Sequence, residues 1–169
     1  MSEDVILVDL SDREIGRMEK LLAHQSALLH RAISVFVLNS AGEILLQQRA
    51  AGKYHSPGLW SNTCCSHPRP GESTLQAAHR RLMEEMGITC ELSHKAEFVY
   101  KVDFGNGLSE HEYDHIFCGI SDLQPIPNPA EVQAFRWISQ ENLDLELRHK
   151  ASEFTFWFKP ALEALRLKL

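Results

Sequence analysis

Nine histidines and four cysteines are spread over the 169 residues, and several stand beside carboxylates at spacings that suit a metal ion. His24 and His30 share one segment, Cys65-Ser66-His67 is a second, and Glu110-His111-Glu112 is a third. In an extended chain, residues two apart face the same way. Glu110 and Glu112 can therefore aim two carboxylates at one ion, and Cys65 and His67 share a side if locally extended. Three imidazoles with two carboxylates suit a divalent metal such as Mn, Zn or Mg in five- or six-fold coordination. Each residue also has an ordinary reading. A single histidine is usually a surface or a satisfied core residue, and Glu110 and Glu112 alone describe an exposed strand face. The segments carry weight only together.

A second cluster is RRLMEEMGI at 80–88, where Glu84 and Glu85 follow Arg80 and Arg81 by one helical turn. Ion pairing along a solvated helix face is the simplest account of such a string. Arg49 and Lys53 lie in and beside a Gly/Pro-rich stretch, where they are either surface charge or a grip for an anion. A lone Cys65 reads as an inert buried thiol, and Trp157 in an amphipathic C-terminal helix reads as core.

Seventeen basic and 23 acidic side chains leave a net charge of −6. That balance argues against a nucleic-acid binder or a protein held on an anionic membrane, either of which needs a basic surface. No apolar stretch is long enough to span a bilayer, and MSEDVILVDL has no basic start of the kind that opens a secretion signal. The cysteines form neither a disulfide framework nor a paired zinc motif. The expectation is one domain over 1–169, cytoplasmic, with reduced thiols; the oligomeric state is left open.

The elements that must position these residues read as follows. Residues 5–10 form a strand, 11–16 a turn and 17–29 a short helix. Residues 32–39 give the strongest strand signal, with 43–50 as its hairpin partner. Residues 51–72 form a long irregular segment. Residues 73–86 form a helix with Ser73 as N-cap, an apolar face of Leu75, Ala78, Leu82 and Met86, and Gly87 as its stop. Strands follow at 88–93, 96–104 and 112–121, the last two joined by Gly105-Asn106-Gly107. PIPNP at 125–129 breaks the chain, 135–139 is a strand, and a helix runs from Ser152. The class is α+β, a mixed sheet core flanked by helices.

The helix string, led by Glu72, resembles the Nudix box GX5EX7REUXEEXGU, the helix that holds magnesium against a diphosphate. Glu72, Arg80, Leu82, Glu84, Glu85, Gly87 and Ile88 match. Ser66 replaces the leading glycine, and Arg81 replaces a glutamate that is usually a metal ligand in the hydrolases, so the likeness is to the fold more than to the hydrolase chemistry. The segments 23–39, 56–73 (with NTCCSHP) and 109–117 (with EHE), helped by 153–160, resemble the type 1 isopentenyl-diphosphate isomerase family over nearly the whole chain. That implies an α/β/α sandwich and the interconversion of two five-carbon alkenyl diphosphates by proton addition and removal.

The resemblance also implies roles. His24, His30, His67, Glu110 and Glu112 match the ligands of a divalent metal. Cys65 and Glu112 match the catalytic pair, with Tyr100 assisting and Trp157 facing the reacting carbons. Arg49, Lys53 and Arg81 match groups near the diphosphate, and Glu85 matches the ligand of a magnesium ion that comes with it. On this reading Glu112 gives the proton and Cys65 takes one, with the roles exchangeable because the reaction is reversible. Cys64 is expected to pack inward. Two other readings stand beside this one: a Nudix hydrolase, and a catalytically silent domain with a structural metal.

Overall fold

Among the described residues, four of the thirteen connections between elements are two residues or fewer, and strand pairing decides where several elements end. The computed structural model describes residues 3–169; Met1 and Ser2, the start of the segment read for a leader, lie outside the described residues. In chain order the elements are β1 (Asp4–Val8), β2 (Glu14–Glu19), α1 (Lys20–Gln25), β3 (His30–Leu38), β4 (Ile44–Arg49), β5 (Trp60–Ser61) and β6 (Cys64–Ser66). Then come α2 (Thr74–Met86), β7 (Leu92–Asp103), β8 (Ser109–Ile120), β9 (Val132–Ile138), α3 (Gln140–His149), a 3-10 turn at Ala151–Glu153, and α4 (Phe158–Arg166).

β3 is the strand on which the rest is organised. One edge pairs in parallel with β8 along its whole length, from His30↔Glu112 to Leu38↔Ile120. The other edge is shared by β1, β6 and the first pair of β4. The expected β3–β4 hairpin is therefore corrected: only Leu38↔Ile44 pair, and β4 leaves to pair with β9. The cause lies in the segment read as irregular. Thr63 wedges between the strands, its hydroxyl accepting from Val37 N at 2.8 Å and donating to Leu45 O at 2.8 Å. Asn62 Nδ2 donates to Val35 O and Cys64 O. These side chains replace ladder bonds, so the buried backbone groups stay satisfied while the strands part.

Alternation along β3 builds two cores. Ile33, Val35 and Val37 face Ala77, Ala78, Leu82 and Met86 of α2, with Cys64 and Leu45 beside them. Phe36 faces the other way, with Ile44, Leu46 and Ile116, onto Phe158, Ala161, Leu162 and Leu165 of α4 and Leu143 of α3. This is the expected helix–sheet–helix sandwich. α2 is capped as read: Ser73 accepts from Gln76 N in a reciprocal capping box, and Gly87 closes the helix at φ +65°. A side chain at Gly87 would also meet Ile126 O at 2.5 Å. Leu75, placed on the apolar face, is instead exposed, and Ala77 packs in its stead.

Other boundaries move for physical reasons. β2 takes Glu14–Glu19, part of the expected turn and helix, because β1 pairs with it; α1 is only Lys20–Gln25. The strands expected at 88–93 and 96–104 are one strand, β7, with a bulge between His94 and Ala96. α3 was not marked by apolar periodicity because it buries only Leu143. The C-terminal helix starts at Phe158, after the 3-10 turn. No helix among the described residues is long and apolar enough to cross a membrane.

Candidate active site

The site lies at the end of β3 where its partners deliver polar side chains. Register carries most of the geometry. His30 pairs with Glu112 on one edge, and Ser34 pairs with Cys65 on the other. Paired residues share a face, so Cys65 joins Ser34 and His30 on the pocket side, while Cys64, paired with Val35, turns into the core as expected. β6 and β8 lie two strand spacings apart, about 10 Å, so Cys65 and Glu112 flank β3 from opposite edges. Both line one pocket, with Lys20, Ser34, Arg49, Lys53, Tyr54, His55, His67, Arg81, Tyr100, Glu110 and Trp157.

β8 presents Glu110, Glu112 and Asp114 on one buried face. Donor atoms of His24, His30, His67 and Glu112 all lie within 4.8 Å of one another. His67 Nε2 is 2.9 Å from Glu112 Oε1 and 3.2 Å from His30 Nε2. The outer ring nitrogens are committed to backbone: His24 Nδ1 donates to Lys20 O at 2.6 Å, and His30 Nδ1 to Leu28 O at 2.8 Å. That leaves the Nε2 lone pairs facing inward, the arrangement of a metal-ligating imidazole. His24 Nε2 is buried with no partner. Burial holds His24 down to about 4 and His67 to about 3, so both are neutral and ready to coordinate. Burial also opposes charge on His30, but Glu112 outweighs it and its pKa rises. These residues fit a divalent ion.

Glu110, expected in the same ligand set, stands to one side. It groups with His24 and His55, with His55 Nε2 3.0 Å from its Oε1. Tyr100 OH reaches Glu110 Oε2 at 2.9 Å and Glu112 Oε2 at 2.5 Å. One phenolic proton cannot serve both carboxylates at once. Burial and the neighbouring Glu112 charge push Glu110 well up. Burial works against ionised Glu112 too, but the His30 and His67 rings facing it hold it well below the carboxylate range. Burial pushes the Cys65 thiol up, so it carries its proton.

The cationic mouth is partly as read. Arg49 is buried and its guanidinium lies 5.4 Å from the Trp157 ring centroid. Lys53 pairs with Glu131 at 2.5 Å, and Arg81 with Glu84 and Glu85 at 2.7 Å each. Glu85 is not gathered into either His/Glu group: Arg81 holds Oε1, and Gln47 donates to Oε2 at 2.7 Å. Trp157 sits in the turn ahead of α4, in the pocket wall.

Five residues escaped the sequence reading, Tyr54 of the pocket wall among them. Lys20 lines the pocket, and desolvation followed by like charge from Lys53 lowers its pKa. Its signal was present, because Lys20 and His24 share a helix face at i,i+4. His55, held down to about 3 by burial, stacks on Phe104 with ring centroids 5.0 Å apart. Ser34 donates to Asp114 at 2.7 Å beneath the slot. Asp114 continues the period-two stripe of Glu110 and Glu112, which could have marked it; Ser34 and His55 are marked only by pairing and loop packing.

Comparisons with known proteins bear on the family and the fold. Residues 28–158 match the NUDIX domain model. The chain is 53% identical over 163 residues to the isopentenyl-diphosphate Delta-isomerase of Burkholderia multivorans, covering 96% of this chain and 93% of that protein. It is 50% identical over 163 residues to isopentenyl-diphosphate Delta-isomerase 2 of Aromatoleum aromaticum, covering 96% and 86%. Among solved structures, the Deinococcus radiodurans protein DR0079 superposes with a TM-score of 0.73 over 97% of this chain and 98% of that one. At 22% identity, it is evidence for the fold alone.

Proposed function

The chain belongs to the NUDIX domain family and, within it, to the isopentenyl-diphosphate Delta-isomerases, and from that premise we propose which side chains move its protons. It interconverts isopentenyl diphosphate and dimethylallyl diphosphate, for isoprenoid synthesis. A proton added to the terminal alkene carbon leaves positive charge on the tertiary carbon. Loss of a proton from C2 then makes the new double bond. One proton enters and one leaves.

The carrying observation is that Cys65 and Glu112 reach one pocket from opposite edges of β3; beside it, burial pushes the Cys65 thiol up while the facing His30 and His67 rings hold Glu112 down. Those opposite shifts favour Cys65 as the donor and Glu112 as the acceptor. This exchanges the roles first assigned from the sequence, and microscopic reversibility makes each group serve in both. Tyr100 supports the second oxygen of Glu112. Trp157, in the pocket wall, would stabilise the transient cation by about 2 kcal/mol when desolvated. Lys20, Arg49, Lys53 and Arg81 gather the diphosphate.

His24, His30, His67 and Glu112, with Glu110 at the margin, would hold a divalent ion, Mn, Mg or Zn, which supplies a fixed charge that keeps Glu112 ionised and in place. Of the two box carboxylates, Glu85 is the buried one, and we assign it to the magnesium ion that accompanies the diphosphate. Residues 1–169 act as a single domain. Hydrolysis is disfavoured because Arg81 stands where a hydrolase carries a ligand carboxylate. The reading is tested by incubating the chain with isopentenyl diphosphate and a divalent metal. Dimethylallyl diphosphate should form, and Cys65→Ser should keep its metal while losing the activity. Unaltered substrate, or release of phosphate from nucleoside diphosphates instead, contradicts it.

A further inference from the structure

On the opposite face of the β7–β8 hairpin, His94, Glu97 and His115 bring one donor atom each within 4.8 Å of the others. His94 Nε2 lies 3.3 Å from His115 Nδ1 and 3.7 Å from Glu97 Oε2, and His115 Nδ1 lies 3.6 Å from Glu97 Oε2. Three corners of a tetrahedron around zinc, with bonds of about 2.0–2.1 Å, are separated by about 3.3–3.4 Å. The triangle is near that size without rearrangement.

The strand alone does not explain the convergence. Residues three apart on a regular strand point to opposite faces. The bulge between His94 and Ala96 inserts Lys95, and this brings His94 onto the face of Glu97, which pairs with His115 across the hairpin.

The ligands are also oriented from behind. His115 Nε2 is 2.9 Å from Asp12 Oδ2, so that nitrogen carries the ring proton and Nδ1 keeps its lone pair toward the cluster. Asp12 is fixed in turn by Arg31, which donates to its Oδ1 at 2.7 Å. Tyr113 OH donates to Glu97 Oε1 at 3.0 Å, leaving Oε2 for the cluster. Burial keeps His115 below the usual imidazole range. A carboxylate behind a histidine, and a hydroxyl behind a carboxylate, are the outer partners that metal ligands carry.

We propose that His94, Glu97 and His115 form a second transition-metal site, suited to zinc, separate from the pocket and completed by water on its exposed side. Through Asp12 the site fastens the β1–β2 turn to the hairpin that carries Tyr100, Glu110 and Glu112. His94 and Glu97 are the adjustable ligands, since their side chains are 44% and 47% exposed, whereas that of His115 is 10% exposed.

Cobalt titration of the full chain tests it, because four-coordinate Co²⁺ gives intense visible bands that six-coordinate Co²⁺ lacks. The wild type should bind one equivalent more than His94→Ala and show bands that His94→Ala and Glu97→Gln both lose. His67→Ala, which damages the pocket cage, should keep them. Asp12→Asn should retain the site but weaken it about 10–100-fold. Unchanged stoichiometry and bands in both His94→Ala and Glu97→Gln, or bands lost only with His67→Ala, would overturn the proposal.

Discussion

The two faces of β8 carry nearly the same chemistry in different surroundings. Inward, Glu112 meets His30 and His67, Glu110 meets His55 and Asp114 meets Ser34; outward, Tyr113 and His115 meet His94, Glu97 and Asp12. Each side brings imidazoles and carboxylates together with a tyrosine hydroxyl on a carboxylate. The inner groups are buried, and their protonation is driven apart: Glu112 well down, Glu110 and Cys65 up. Outside, Glu97 and His94 reach solvent. Low dielectric and opposed neighbours thus divide a proton inventory inside.

Removing a proton carrier from the inner face should have the largest effect. Cys65→Ser and Glu112→Gln should each lower kcat by about 10³-fold, within the range of positioned acid–base groups, as read by dimethylallyl diphosphate formation. Cys65→Ser should hold its metal by elemental analysis, and Glu112→Gln should hold it more weakly. Stripping the metal with a strong chelator should abolish turnover, and adding Mn²⁺ or Mg²⁺ back should restore it; persistence of activity in metal-free protein would break the comparison. Tyr100→Phe should cost about 10–100-fold in kcat, because a hydrogen bond to a buried charged group contributes about 1.5–3 kcal/mol. Lys20→Ala should act on the diphosphate end, raising KM several-fold with a smaller change in kcat. The smallest effect belongs outside. His94→Ala should leave kcat within about two-fold and, without added zinc, stability within about 0.5 kcal/mol by denaturant unfolding.

The same contrast marks what could be read from the chain itself. Glu110 and Glu112 were legible because strand alternation is local, as were Ser73 and Gly87, whose capping roles depend on neighbours three or four residues away. Cys65 and His67 were legible as a pair, but not the wedge of Asn62 and Thr63 between β3 and β4 that carries them to the slot; those bonds come from side chains and leave no periodic trace. The β3–β4 hairpin failed because both strands are buried on both faces, which leaves partner choice to the tertiary structure. α3 buries one side chain and so has no apolar stripe. The outer cluster stayed hidden because a bulge decides which way His94 points.

The central claim is that two different groups, each able to trade its proton with solvent, serve the two ends of the alkene. It is tested most directly by running the reaction in D₂O and locating deuterium by NMR. The account predicts deuterium in the new methyl group of dimethylallyl diphosphate, with further label at C2 of isopentenyl diphosphate recovered after reversal. Full conversion with no deuterium in either compound would mean one proton is carried internally from C2 to the terminal carbon, and would contradict the division of labour between Cys65 and Glu112.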